Sequence, residues 1–536
     1  MKTKPDSSRH LERIHRLLLP LAGLGALIWF LIRVIPKPSR ARYPCMRAAM
    51  PLASSFVIGL ISFGGSVCLF KKARSFLYRA RYGLFGACLA GGLALGLISL
   101  ARTQAAAQIK APATRFQAAR PAYDGPNMPM GQGQGISPGR VVWVHDPEAT
   151  NEGYSFWTSP SWYDESNLHQ GAVSSMLDRG LAALTGVDDP VDALEAIFRH
   201  FNKARGRGDR GYEKGEKIVI KINMNGLGNG SRDNINTSPQ ILMAILDRLV
   251  KGLKIPQDAI TMGEPNISMD RITYASLLKA YPGVRTFERG RTKATKGDAI
   301  FASDGWASDP LPQAYIDADY MINVPVLKKH HRAGISLTAK LHFGSVTPFN
   351  PNGAFDWHYS LPAPDGAGRV TNGDYGVYRC LVDFMGHRDL GGKTLLYVVD
   401  GLWGSINWGH PATKWHMAPF NGDYPSSLFL SQDPVALDSV GYDFLYEEFG
   451  PDNPSEGAFD PRDDHGPFAR YAGVDDYLHQ AADPARRPAG LVYDPERDGT
   501  ALGSLGVHEH WNNPIDKAYS RNLGSGQGIE LLKVGR

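Results

Sequence analysis

The chain has 536 residues and a formal net charge of +5, and it is too long for one ordinary domain. The charge is uneven: residues 1–120 hold 19 Lys and Arg against Asp6 and Glu12, leaving 39 basic and 51 acidic residues to the rest. An acidic body argues against nucleic acid as a partner. Cys380 is the single cysteine beyond residue 100, which excludes a disulfide framework and a Cys-ligated iron–sulfur cluster there.

Three apolar runs open the chain, at about 17–35, 48–70 and 83–101. The last two are long enough to span a hydrocarbon layer of about 30 Å. The first follows a basic stretch, so a signal-like segment is its other reading. The runs predict an N-terminal bundle of about three transmembrane helices over 1–102, and hence an integral membrane protein. The Lys and Arg flanking the spans place the soluble part on the extracytoplasmic side. Residues 103–139, rich in Ala, Gln, Gly and Pro, read as a flexible tether.

The body begins with a strand at 141–145, followed by the aromatic stretch Tyr154, Phe156, Trp157, Trp162 and Tyr163. That stretch is either a packed loop or a ring-stacking platform. Helices are predicted at 170–184 and 190–204, then a strand at 217–223 and a Gly/Asn loop. Thr237 and Ser238 cap a helix over 239–253, with Pro239 in its first turn. A strand at 259–263, a helix at 270–280 and strands at 284–287, 319–324 and 394–400 follow. The segment 427–449 reads as a strand and then a helix. This alternation predicts an α/β domain over 140–449, with a mostly parallel sheet covered by helices. Residues 450–536 read as an irregular extension packed on it.

In such folds the site lies just beyond the strand C-termini. The polar residues there are Asn223, Asn225, Glu264, Asn266, Lys328 to His331, and Asp400. The densest stretch is 319–346, DYMINVPVLKKHHRAGISLTAKLHFGSV. Its Lys328–His331 run is either a basic surface turn or an anion-binding and proton-transferring element. If the following segment is helical, Ser336 pairs with Lys340 and Thr338 with His342 along its faces. A lysine in such a setting serves as a base or nucleophile when its pKa falls. His508 and His510 could be two metal ligands on one strand face, and the metal expectation extends to His330 and His342. Asp433 reads as a helix N-cap.

The blocks KIVIKINMNG (217–226), TSPQILMAILDRL (237–249), 319–346 and SQDPVALDSVGYDFL (431–445) resemble those of domain-of-unknown-function family 362, in the same order. The likeness covers about 215–445. Some members of that family carry a ferredoxin-like cluster segment, whose cysteines are missing here. The stretch His330-His331-Arg332-Ala333-Gly334-Ile335-Ser336-Leu337-Thr338-Ala339-Lys340 is also similar to a motif of the nickel-pincer lactate racemase family. That likeness sets His330 at the place of a nickel ligand and Lys340 at that of the cofactor-linked lysine. Leu337-Thr338 stand where that family has two glycines.

The leading expectation is an enzyme acting on a small anionic substrate. Lys340, His330 and Asp400 would be catalytic. Lys328, His331, Ser336, Thr338, Asn223 and Asn225 would bind the substrate. The alternatives are a sugar- or ring-binding module, and a metal- or redox-linked maturation factor. The sequence names no cofactor beyond a divalent metal.

Overall fold

The computed structural model describes residues 125–536, except 226–229, 231, 233, 266, 289–293, 331–332, 347–356, 362–374, 408–409 and 450–471, together with scattered residues between 28 and 91. The chain divides into two units, Met1–Ala111 and Pro112–Arg536. In the first, residues 67–69 and 71–74 are helical. Among the described residues, no helix is long and apolar enough to cross a membrane. The expected transmembrane bundle is corrected accordingly: it has no support in the described residues, and most of the runs 17–35, 48–70 and 83–101 lie outside them.

The second unit is built on a ten-stranded sheet. In chain order its strands are β1 (Arg140–His145), β2 (Ile218–Ile222), β3 (Ile260–Gly263), β4 (Arg285–Thr286), β5 (Tyr320–Val324), β6 (Val326–His330), β7 (Gly334–Ile335), β8 (Thr394–Ser405), β9 (Ser427–Ser431) and β10 (Glu530–Val534). The spatial order is β10-β1-β9-β8-β5-β2-β3-β4, with β6 pairing to β8 and to β7. The helices used below are α1 (Gln170–Thr185), α2 (Pro190–Ala204), α3 (Pro239–Leu246), α4 (Ala275–Ala280), α5 (Thr338–Leu341), α6 (Cys380–Gly386), α7 (Pro434–Phe449) and α8 (Ala472–Ala482).

The expectation of a mostly parallel sheet is also corrected, because the sheet is mixed. β9 runs antiparallel to both β8 and β1, and β7 antiparallel to β6. The segments β2, β3, β4, β5 and β8 pair in parallel, as do β10 and β1. The reason lies in the connection. A parallel return needs a crossover, usually a helix, and among the described residues of 406–426 there is none. The chain therefore re-enters from the end at which it left. β9 is buried on both faces, so its apolar pattern reads the same in either direction.

Alternating side chains of the central strands feed two cores. Ile218, Ile220, Tyr320 and Ile322 face the layer that holds α1, α2 and α3. Val219, Met321, Val399 and Phe429 face the layer that holds α6, α7 and α8. The helices start where the chemistry of the chain requires. Asp189 caps α2 by accepting from Val191 and Asp192 N–H, with Pro190 in the first turn. Gly186 closes α1 in the left-handed conformation, φ 77°, which a side chain would resist. Within the predicted tether, Met130–Gly131 pair with Val507–His508.

Candidate functional site

The parallel strands β2, β5 and β8 end at a common edge, where the residues after them gather polar groups. The first group is an ion pair. Lys221, within β2, is fully buried and contacts Glu264, which follows β3. Its ammonium also donates to Ile222 O at 2.9 Å. Burial pushes Lys221 down and Glu264 up, and in each the partner's charge opposes the shift. Lys340 adds to the attraction felt by Glu264. A Cβ on Gly344 would collide with the Glu264 carboxylate, so the turn after α5 approaches it as bare backbone.

The second group surrounds Lys328. The run Lys328–His331 is not a surface turn. Residues 326–330 form β6, and Lys328, Lys329 and His330 are buried. Lys328 Nζ donates to Ile235 O at 3.1 Å. Burial first, with nearby Lys340 adding to it and Asp400 opposing, lowers its pKa to about 7. Lys340 is half-buried, with its ammonium 4.1 Å from the centre of the Phe343 ring. Asp400 accepts from Ser238 N–H at 2.7 Å and from Leu402 N–H at 3.1 Å. It thereby fixes the start of α3, where Ser238 itself makes no side-chain cap. Burial raises Asp400, against those donors and Lys328.

The other expected residues are placed as follows. Asn223 N–H donates to Thr237 Oγ1 at 2.8 Å. Asn225 bonds Asn234 and Asn236. Ser336 N–H donates to Lys328 O at 2.9 Å and helps close the β6–β7 hairpin. His330 Nδ1 accepts from Ala333 N–H at 3.1 Å in the same hairpin. Thr338 N–H donates to Asp438 of α7 at 2.8 Å. The anticipated helix is the single turn α5, followed by a 3-10 turn over His342–Gly344. Within it, His342 Nε2 accepts from Asn323 Nδ2 at 3.1 Å, and Nδ1 lies 3.2 Å from Ser345 Oγ. Burial, with Lys221 and His387 adding to it, drives His342 to about 3, so the ring is neutral. His331 and Asn266 lie outside the described residues.

His508 and His510 belong to a different cluster, with His479. Ring centroids are 4.9 Å apart for His479–His508 and 5.0 Å for His508–His510. His508 Nδ1 lies 2.8 Å from Ser439 Oγ, and His510 Nδ1 lies 2.6 Å from Asp443. Among the described residues, no group of three or more His, Cys, Asp or Glu is set to hold a metal ion. Of the aromatic run, Tyr154 and Trp162 are buried in the core, and Trp157 is 85% exposed.

Sequence reasoning missed Lys221, Arg232 and Asp438. The signal for Lys221 was present: a lysine inside the apolar run Ile218–Ile222 is rarely buried without a partner. Asp438 binds Thr338 and Ala339 N–H and accepts from Tyr477 OH. No periodicity could link positions 100 residues apart. A family model described as Domain of unknown function (DUF362) matches residues 218–443, the span from β2 into α7. No curated protein matches the chain.

Proposed function

We propose that the chain, matched over residues 218–443 by the model of domain-of-unknown-function family 362, is an enzyme acting on a small anionic substrate at the C-terminal ends of β2, β5 and β8. The observation that carries this reading is two lysines, Lys328 and Lys340, within electrostatic reach of each other and beside Asp400 and Glu264. Their roles differ by environment. Lys340, packed on Phe343 and only half-buried, meets the anion. Lys328, buried and with its pKa lowered to about 7, takes up a proton as the anion binds and passes it to the substrate. Asp400 is a positioning residue that holds α3 and biases Lys328.

An anion at Lys340 screens the repulsion on Lys328 and raises its proton affinity, so binding takes up a proton. The test is calorimetry of the full chain with a panel of small carboxylates and phosphates, in buffers of different ionisation enthalpy. Lys340→Ala is expected to weaken binding at least tenfold, and Lys328→Met to remove the proton uptake. Unchanged binding and uptake in both variants would end the proposal.

A further inference from the structure

We propose that Tyr154, Arg232 and Trp403 form an oxyanion-binding subsite at the same sheet edge, which takes a carboxylate or phosphate group of the substrate. It extends the reading above by naming a second recognition point, and it rests on that reading only for the identity of the ligand as substrate.

The argument starts from donors that the protein leaves unmet. The Trp403 indole nitrogen can only donate. Trp403 is fully buried, and its Nε1 has no protein partner. The Tyr154 hydroxyl proton likewise has no protein acceptor, on a residue 3% exposed. The two rings pack with centroids 4.8 Å apart, against Tyr424 at 4.7 Å from Trp403. Arg232 completes the set. Its Nη2 donates to Phe156 O at 2.7 Å and to Ser159 O at 2.5 Å. The loop carbonyls thus fix the guanidinium, and its buried Nε is left without a protein acceptor. The guanidinium also donates to the Tyr154 oxygen, and its charge and that bond both favour the ionised phenol against burial.

Three donors from three separate segments, two of them neutral and one cationic, share one chemical demand. Each needs an acceptor, and an oxyanion offers several lone pairs and the opposite charge. A neutral hydroxyl would leave Arg232 unbalanced, and a cation would be repelled. The subsite belongs to the edge already described. Trp403 follows Asp400 on β8, and Arg232 lies in the loop joining β2 to α3. At the ends of that loop, Asn223 Oδ1 and Ser238 Oγ are also buried without protein partners, and they suit a hydroxyl or amide on the body of the same ligand.

The experiment titrates the full chain with inorganic phosphate and, separately, with malonate. It compares wild type with Trp403→Phe, which keeps the ring and removes the donor, and with Tyr154→Phe. Binding of at least one probe, weakened about tenfold or more in each variant, supports the subsite. The probe affected distinguishes a phosphate from a carboxylate. Thermal unfolding run in parallel identifies a variant that fails to fold, and the other then decides. Wild-type affinity in a folded variant overturns the subsite, as does failure of wild type to bind either probe. Loss of binding in Lys340→Ala alone would sink this inference and leave the lysine reading standing. Loss in Trp403→Phe and Tyr154→Phe alone would do the reverse.

Discussion

At the scale of single residues, Lys328 shows how far burial can redirect a side chain. Its stem runs along a buried strand, and its ammonium is offered one carbonyl, Ile235 O. Desolvation outweighs the attraction of Asp400, and Lys340 pushes the same way. The consequence for stability has a definite sign. A lysine normally titrates near 10.5, and this one near 7 in the folded chain. Between those values the unfolded state holds a proton that the native state lacks, so stability rises with pH through that window and is flat below it. The slope is about 1.4 kcal/mol per pH unit at most. Replacing Lys328 by Met removes this term. The variant is expected to gain on wild type at pH 7 relative to pH 10, and urea unfolding at the two pH values checks it. A constant difference would show that Lys328 titrates normally. Burial of this kind was not legible in the sequence, where a Lys-Lys-His-His run reads equally well as a solvated turn.

At the scale of elements, the site is held by side chains that cap distant backbone. Asp400, opposite Val326 in the parallel pairing of β8 with β6, supplies the acceptor for the start of α3, 162 positions earlier. Asp438 does the same for α5, whose single turn could not persist alone because helix nucleation is unfavourable. Asp400→Ala leaves the Ser238 and Leu402 N–H groups buried and unmet. A destabilisation of about 2–4 kcal/mol is expected from two such losses, measured by denaturant unfolding, with loss of anion binding beside it. A change under 0.5 kcal/mol, the scale of ordinary surface substitutions, would remove Asp400 from this role. The local signals were partly visible. Pro239 and the Thr237–Ser238 pair marked the helix start correctly, but the capping oxygen comes from Asp400 and not from Ser238.

At the scale of the second unit, the sheet is closed at one side by the C-terminal strand. β10 pairs in parallel with β1 over Glu530–Val534, and Leu531 is buried. Removing 530–536 would bare the edge of β1, a strand whose centre is buried on both faces. Such a deletion is expected to lower the melting temperature by several degrees and to raise aggregation, read by light scattering during a thermal ramp. A deletion with unchanged melting and no scattering would show β10 to be dispensable. The corrections belong to this scale too. Apolar periodicity located seven of the ten strands and missed β6, β7 and β10, the last in the stretch 450–536 expected to be irregular, and the antiparallel setting of β9 depended on a return without a crossover. The predicted transmembrane bundle rested on run length alone, and the described residues contain no helix that meets it.

The sequence by itself determined the alternation of strands and helices, the starts of α2 and α3, the family likeness and the stretch richest in Lys and His. These follow from short-range physics: side-chain period, proline and capping geometry, and composition. Only the tertiary structure decided that Lys328 is buried with its pKa lowered to about 7, that Lys221 pairs with Glu264, and that Asp400 and Asp438 serve helices far away in the chain. It alone brought Tyr154, Arg232 and Trp403 to one edge. Those facts depend on which segments meet across the sheet and on how much water they exclude. Desolvation and long-range hydrogen bonding leave no periodic trace in a single sequence.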